Sequence, residues 1–332
     1  MRSFDLRIDV TGRVDLEGAL ETAATVYLPD RVDGPLTVLF GFPGGAYSRR
    51  YYDIRQAPGY SQAEHHTDRG FAFVACDHLG IGDSTPLDTF DLTIERMAAA
   101  NHATASTVVE RLRAGRLIEG VGPIEVEKVI GMGQSMGGCL LTVQQGLHST
   151  FDAVAILGYG VVRSGFPTPN GERINFPAPP RGSDLRALAD RPLAAVAEHA
   201  ALLRYGFHAA EDDPDLMEAD MPTSPQADAA AGKLPPWRVD SAPACAASMM
   251  ADGAVAKEAS AIVTPVLVGC GEIDLVADPW LEPSAFRGSR DVALFVVPRM
   301  AHMHNFAQTR DLLWARLDRF AEVTAAKPNQ RP

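Results

Sequence analysis

Short apolar segments alternate with helical patterns through the first half of the chain, and this alternation limits the fold more than any other feature. Each apolar run suits a strand buried on both faces better than a helix. Strands joined by helices indicate an α/β fold with a mostly parallel central sheet flanked by helices. The predicted strands are residues 4–10, 24–28, 36–40, 71–76, 128–132, 153–157, 265–269 and 294–298. The predicted helices are residues 93–117, 137–148 and 306–323.

The interval from residue 160 to residue 262 departs from this alternation. It opens with the stretch FPTPNGERINFPAPPRG and continues with a helical pattern over 192–207, the acidic stretch EDDPDLMEADMP and a PPW turn. A loop of that length without structure of its own is uncommon in a compact domain, and strand patterns resume after it. We therefore predict that residues 1–159 and 263–327 form one core and that residues 160–262 form an inserted, mostly helical cap.

The pentapeptide GQSMG at residues 133–137 lies between a predicted strand and a predicted helix. A serine at such a tight turn adopts a strained backbone that lifts its hydroxyl clear of the sheet. The N-terminus of the following helix directs free N–H groups, notably that of Met136, toward a developing oxyanion. A dinucleotide-binding loop could begin at Gly131, but its third glycine is replaced here by Met136. Ser135 is therefore predicted to be a nucleophile.

This motif and three further segments, in order along the chain, resemble the α/β-hydrolase superfamily of serine hydrolases. The second segment, FGFPGG at residues 40–45, looks like the HGxPG loop of that family, whose backbone N–H after the first glycine completes the oxyanion hole. The resemblance assigns this donor to Phe42, with Gly44 and Gly45 as alternatives in an HGGG-like register. Phe40 stands where the family usually has histidine, and this departure leaves the backbone role intact.

The third and fourth segments follow later strands. The stretch DHLGIGDS at residues 77–84 is similar to the D-x-x-G-x-G-x-S turn that organises the loop beneath the active site in this family. An apolar strand running into GEID resembles the turn that bears the catalytic acid, and it implies Asp274 in that role. Glu272 and Asp278 are neighbouring carboxylates that could replace it. Such a carboxylate holds the catalytic histidine in the correct tautomer.

The catalytic base is implied by the sequence AHMH at residues 301–304, after the last predicted strand. The family typically has a small residue and then the catalytic histidine at this place, which indicates His302. His304, two residues later, is the alternative base. Ser135, Asp274 and His302 follow one another in the nucleophile–acid–base order of this fold.

The resemblance implies two-step acyl transfer without a cofactor, on a small-molecule substrate. We expect a carboxylic ester or a lactone, with Tyr205, Met217 and Trp237 of the cap as candidate substrate-binding residues. One alternative with the same triad is hydrolysis of a C–C bond in a β-diketone. Another is an aminopeptidase similar to prolyl iminopeptidases, in which the acidic stretch would hold a substrate ammonium. A non-catalytic, ligand-binding member of the fold is a further alternative.

Charge and cysteine content limit the partners and the compartment. Lys and Arg total 30 and Asp and Glu total 42, so the formal charge of −12 disfavours binding to nucleic acid or to anionic membranes. The N-terminal MRSFDLRIDV lacks the apolar run of a signal peptide, and the four cysteines show no paired spacing, so we expect a cytoplasmic protein with free thiols. Because His65, His66 and His78 lack ligand spacing, no metal is predicted. The sequence leaves open whether the protein forms a homo-oligomer.

Overall fold

A computed structural model describes residues 1–175, 177–188, 200–222 and 224–325. The strands are β1 (Arg2–Asp9), β2 (Glu21–Leu28), β3 (Leu36–Phe42), β4 (Ala72–Cys76), β5 (Val126–Gln134), β6 (Ala153–Leu157), β7 (Phe166–Pro167), β8 (Arg173–Ile174), β9 (Val266–Ile273) and β10 (Val292–Ala301). The helices are α1 (Gln62–Thr67), α2 (Ile94–Arg113), α3 (Met136–His148), α4 (Leu185–Leu188), α5 (Ala200–Phe207), α6 (Pro214–Asp220), α7 (Pro225–Ala230), α8 (Ala246–Met249), α9 (Ala256–Ala261) and α10 (Arg310–Val323). Short 3-10 helices cover Arg49–Tyr52, Glu282–Ala285 and His304–Phe306.

Eight of the strands form one sheet in the order β1-β2-β4-β3-β5-β6-β9-β10. Strand β2 runs antiparallel to its two neighbours, and the other neighbouring pairs are parallel. Strands β3, β4 and β6 are buried along their whole length, as expected for strands covered on both faces. One face packs against α2 and α3 and the other against α1 and α10. The predicted α/β architecture with a mostly parallel sheet is therefore confirmed.

Two predicted helices have different ends in the structure. Helix α2 ends at Arg113 rather than at residue 117, because Gly115 adopts a positive φ of 64° and donates its N–H to the Leu112 carbonyl. Helix α10 begins at Arg310, after a separate 3-10 turn at His304–Phe306. Of the helical pattern predicted over 192–207, the structure shows α5, and residues 192–199 lie outside the described residues.

Residues 160–262, the inserted segment, separate two strands that are neighbours in the sheet. Strands β6 and β9 pair directly, so the chain leaves the sheet after one and returns beside it. The described parts of the inserted segment form the β7–β8 hairpin and the short helices α4 to α9. That the inserted segment acts as a cap over a substrate stays a prediction. Among the described residues, no helix is long and apolar enough to cross a membrane.

Candidate active site

Ser135 occupies a sharp turn between the end of β5 and the start of α3. Its backbone has φ 54° and ψ −119°, a conformation that a non-glycine residue adopts only under strain. Its N–H donates to the Leu157 carbonyl at 2.7 Å, and its carbonyl accepts from the Gly138 N–H at 2.8 Å. These bonds to β6 and α3 hold the strained backbone in place. Ser135 is consequently fixed at the junction of β5 and α3.

The glycines on either side of Ser135 are required by close backbone contacts. A Cβ atom on Gly133 would overlap the carbonyl oxygen of Gly137. A Cβ atom on Gly137 would overlap the carbonyl oxygen of Phe42, at the end of β3. Both obstacles are backbone atoms that cannot rotate away. The G-x-S-x-G spacing is therefore a steric requirement of packing α3 against β5 and β3.

The structure brings Ser135, His302 and Asp274 together in one line of hydrogen bonds. His302 Nε2 lies 2.9 Å from Ser135 Oγ, and His302 Nδ1 lies 2.6 Å from Asp274 Oδ1. Asp274 follows β9 and His302 follows β10, so all three side chains lie at the carboxyl ends of sheet strands. The Gln134 amide also donates to the His302 carbonyl at 2.9 Å. This geometry can transfer a proton from a serine hydroxyl to an imidazole.

Asp274 is fully buried and accepts hydrogen bonds on both carboxylate oxygens. The backbone N–H groups of Gly271 and Leu275 donate to it at 2.9 and 2.6 Å. Burial alone would raise the pKa of Asp274, but the charges and hydrogen bonds of His302 and His304 outweigh it and hold the pKa well below its usual range. The Asp274 side chain is therefore an ionised acceptor at neutral pH.

His304, the alternative base, contacts Asp274 rather than Ser135. Its Nε2 lies 2.8 Å from Asp274 Oδ2, on the oxygen that His302 does not use. Its Nδ1 is buried and has no hydrogen-bond partner among the described residues. One carboxylate thus holds two imidazoles, and the structure places only His302 between that carboxylate and the serine.

The two alternative acids have other partners. Glu272 accepts the backbone N–H of Arg299 at 2.9 Å, and it therefore braces the bulged end of β10. Asp278 accepts the backbone N–H of Trp280 at 3.1 Å in an exposed turn. Both carboxylates are occupied with local backbone structure, while Asp274 is the one placed beside His302.

The candidate oxyanion donors lie beside Ser135 or beside the first turn of α3. Met136 is the first residue of α3, whose N-terminus has no side-chain cap. Phe42 ends β3, with its carbonyl against the first turn of α3. A Cβ atom on Gly44 would lie 3.3 Å from Ser135 Cβ, and one on Gly45 would lie 3.7 Å from Met136 Sδ. The distances therefore do not separate the two possible sets of donors, and the choice between Phe42 and the two glycines stays a prediction.

The segment at residues 77–84 holds the loop that follows Phe42. His78 Nε2 lies 2.9 Å from the Pro43 carbonyl, and its Nδ1 faces the Asn101 side chain. Burial lowers the pKa of His78, so it is a neutral donor to Pro43. Asp77 forms a buried ion pair with Arg49 at 2.6 Å. These contacts hold both ends of the loop at residues 43–49 against the segment that follows β4.

The three candidate substrate-binding residues differ in exposure. Trp237 is only 1% exposed, and its indole N–H donates to Asp220 Oδ1 at 2.8 Å. Its ring packs inside the protein, and its role in substrate binding stays a prediction. Tyr205 and Met217 are half-buried on α5 and α6. Their place in a substrate pocket stays a prediction.

Two contacts to His302 come from residues that sequence patterns did not indicate. The Phe207 ring lies 5.2 Å from the His302 ring, and the Gly206 carbonyl accepts the His302 N–H at 2.9 Å. The Gln134 side chain adds a third contact. These residues carry no local motif for a role beside a histidine, because each reaches His302 through the folding of distant segments.

His65 and His66 are hydrogen-bonded to Asp318, which accepts from them at 2.8 and 2.6 Å. Their ligand atoms lie within 4.8 Å of one another, the spacing of a group that could hold a metal ion. However, the Gln62 amide lies 3.2 Å from His66 Nε2, which leaves the proton on the Nδ1 that faces Asp318. Arg69 also approaches Asp318 at 3.3 Å. This arrangement fits a hydrogen-bonded cluster better than a set of metal ligands.

Comparisons of the sequence with protein-family models and with curated proteins gave no match. The structure is similar to a proline iminopeptidase from Mycobacterium smegmatis, with a TM-score of 0.60 and 18% identity over 96% of this chain and 98% of that one. It is also similar to a thermophilic esterase from Thermogutta terrifontis, with a TM-score of 0.60 and 17% identity over 96% of this chain and 100% of that one. A bromoperoxidase from Bacillus anthracis matches with a TM-score of 0.57 and 16% identity over 95% of this chain and 100% of that one. The sheet order, the turn at Ser135 and these similarities together show that the chain has the α/β-hydrolase fold.

Proposed function

We propose that this chain is a serine hydrolase that cleaves a carboxylic ester or a lactone of a small to medium apolar substrate. The observation that carries the proposal is the line of hydrogen bonds from Ser135 Oγ through His302 to Asp274, at 2.9 and 2.6 Å. A serine hydroxyl at its ordinary pKa is a weak nucleophile, and an adjacent oriented base is what activates it. The strained turn presents this hydroxyl at the start of α3, where the field of the helix favours negative charge.

In the proposed reaction, His302 Nε2 accepts the Ser135 proton while Ser135 Oγ attacks the substrate carbonyl carbon. The Asp274 carboxylate stabilises the imidazolium that forms. The N–H of Met136 and that of Phe42, or of a glycine in the same loop, stabilise the tetrahedral oxyanion. His302 then gives its proton to the leaving alcohol, and the acyl-enzyme remains. Water, deprotonated by His302, releases the acid and restores Ser135.

The base in this proposal is His302 rather than His304. Only His302 has one ring nitrogen on the serine and the other on the carboxylate, which is the arrangement that general-base catalysis needs. His304 donates to the second carboxylate oxygen. We therefore propose that His304 keeps Asp274 in place.

The contacts of the acidic stretch make the aminopeptidase alternative less favourable. Asp220 is fully buried and accepts from three donors of the protein itself. Asp212 is also buried and accepts the N–H of Ala209 at 2.9 Å. Asp213 caps α6. These three carboxylates have internal partners already. Of the acidic stretch, the exposed Glu211, Asp215 and Glu218 remain to hold a substrate ammonium.

A substrate panel tests the proposal. Aryl esters of increasing acyl length, lactones, a β-diketone and aminoacyl arylamides are offered to the wild type, to Ser135→Ala and to Ser3→Ala, a control at an exposed serine of β1. We expect turnover of esters or lactones by the wild type and by the control, and none by Ser135→Ala. Turnover confined to the diketone or to the arylamides would contradict the proposed bond class. Binding without turnover in every class would favour a non-catalytic member of the fold.

A further inference from the structure

A buried cluster of charged and aromatic side chains joins the inserted segment to the loops around Ser135. Asp220, the last residue of α6, is fully buried at its centre. Its Oδ2 accepts from the Tyr47 hydroxyl at 2.7 Å and from His208 Nε2 at 2.9 Å, and its Oδ1 accepts from the Trp237 indole at 2.8 Å. The three donors belong to three separate stretches of the chain. One carboxylate therefore ties together segments that are distant in sequence.

His208 lies between two buried carboxylates of this cluster. Its side chain is fully buried, with Nδ1 3.8 Å from Asp212 Oδ2 and Nε2 on Asp220. Burial alone would lower the pKa of His208, but its interactions with Asp212 and Asp220 outweigh burial and raise the pKa. A buried carboxylate without a counter-charge destabilises the folded state. The protonated form of His208 offsets part of that destabilisation, and the contact between His208 and Asp220 holds both side chains in place.

Tyr47 connects the cluster to the loop that follows β3. The Tyr47 N–H donates to the Gly44 carbonyl at 3.3 Å, which closes a turn over residues 44–47. Gly44 packs directly against Ser135, since an added Cβ would lie 3.3 Å from Ser135 Cβ. Within this turn Ala46 has a positive φ of 63°, a strained conformation that outside contacts must maintain. The Tyr47 hydroxyl on Asp220 is one such contact.

Backbone hydrogen bonds from the inserted segment also hold the turn at residues 44–47. The Val239 N–H donates to the Ala46 carbonyl at 3.1 Å, and the Ser48 N–H donates to the Trp237 carbonyl at 2.8 Å. Because Trp237 is itself held by Asp220, the side-chain and backbone contacts reinforce one another. The turn that carries two of the candidate oxyanion donors is thus positioned by the inserted segment.

The cluster reaches the loop of His302 through α5. His208 directly follows α5, and the Phe207 carbonyl, just before it, accepts the Met303 N–H at 2.9 Å. The Gly206 carbonyl accepts the His302 N–H at 2.9 Å. The hydrogen bond between His208 and Asp220 therefore fixes the C-terminal end of α5. The loop of His302 is hydrogen-bonded to that same end.

From these contacts we propose that Asp220 is a positioning residue, which holds the residue 44–47 turn and the His302 loop in register on either side of Ser135. This inference rests on the proposed serine-hydrolase function. Under this proposal, the inserted segment is a fixed part of the structure that positions the active-site residues. Loss of the Tyr47 hydroxyl should let the turn move relative to Ser135, which weakens stabilisation of the transition state more than binding of the ground state.

The test compares Tyr47→Phe with Tyr52→Phe. Tyr52 belongs to the same aromatic cluster, and its buried hydroxyl has no hydrogen-bond partner in the part of the chain that is described. Both variants lose one buried hydroxyl, but only Tyr47→Phe loses a contact to Asp220. With the best ester of the panel, we expect kcat of Tyr47→Phe to fall about tenfold to a hundredfold, with little change in KM. We expect Tyr52→Phe to match the wild type. We expect Asp220→Asn to lose at least as much kcat as Tyr47→Phe, because it also alters the contacts to His208 and Trp237.

The outcomes separate this inference from the proposed function. Labelling of wild-type Ser135 by a fluorophosphonate, together with equal kcat in Tyr47→Phe and Tyr52→Phe, would overturn the positioning role and leave the function standing. A Tyr47→Phe variant that only melts at a lower temperature, with kcat unchanged, would also overturn the positioning role alone. Absence of labelling and turnover in the wild type would overturn the function, and the positioning role with it.

Discussion

Glu282 should make the protein less stable as the pH rises toward neutrality. Its side chain is 1% exposed and accepts the N–H groups of Val162 and Arg163, where the chain enters the inserted segment after β6. Burial raises the pKa of Glu282 from 4.5 to about 7, despite these backbone hydrogen bonds, which lower it. In the unfolded chain the carboxyl has its ordinary pKa, so between these two values the folded state binds more protons. Stability therefore falls as the pH rises through this window.

The size of this loss of stability follows from the two pKa values of Glu282, in the folded and in the unfolded state. Each pKa unit corresponds to about 1.4 kcal/mol, so ionised Glu282 costs the folded state about 3 kcal/mol above pH 7. Most of this cost, about 2.5 kcal/mol, develops between pH 5 and pH 8. Glu282→Gln carries no charge at any pH in this range, so its stability lacks this contribution. The wild type should consequently lose about 2.5 kcal/mol relative to Glu282→Gln over that interval.

The assay is urea unfolding of the wild type and of Glu282→Gln at pH 5, 6, 7 and 8. The difference between the two free energies of unfolding isolates Glu282, because the histidines titrate in both proteins. Glu17→Gln, at an exposed position, controls for the loss of one carboxylate. Parallel curves for the wild type and Glu282→Gln would refute the argument from burial.

Two further predictions concern catalysis and packing. His302→Ala should lower kcat by several orders of magnitude. His304→Gln keeps a hydrogen-bond donor for Asp274 and should therefore retain most activity. Equal losses of kcat in both variants would contradict the assignment of His302 as the base. Gly137→Ala should lower the melting temperature sharply, since its Cβ would overlap the Phe42 carbonyl oxygen, while Gly45→Ala, with its Cβ 3.7 Å from the nearest atom, should fold normally. Equal melting temperatures for the two glycine variants would show that the turn can relax.

The parts of the fold with a local signal were predictable from the sequence. Strand β6 has the bounds that its apolar run indicates, because a strand buried on both faces shows as a continuous apolar run. The turn at Ser135 was predictable because its glycines answer steric requirements within five consecutive residues. The end of α2 was not, because it depends on the backbone conformation of Gly115, which a helical pattern does not show.

The contacts that frame the candidate site were not predictable, because they join residues far apart in the chain. Gln134 and His302 meet across 168 positions, and Tyr47 and Asp220 meet across 173. No spacing rule links such pairs. Trp237 shows the same limit, since an aromatic residue in an irregular segment gives no sign of whether its ring lines a pocket or packs inside. Its hydrogen bond to Asp220 became visible only in the folded chain.

We propose that Ser135 is an activated nucleophile, and the intact-protein mass after incubation with a fluorophosphonate measures whether it is. The reagent forms a stable bond with a serine oxygen that a neighbouring base has activated. We predict one adduct on the wild type, and none on Ser135→Ala. No adduct on the wild type, or an adduct of equal yield on Ser135→Ala, would contradict the claim.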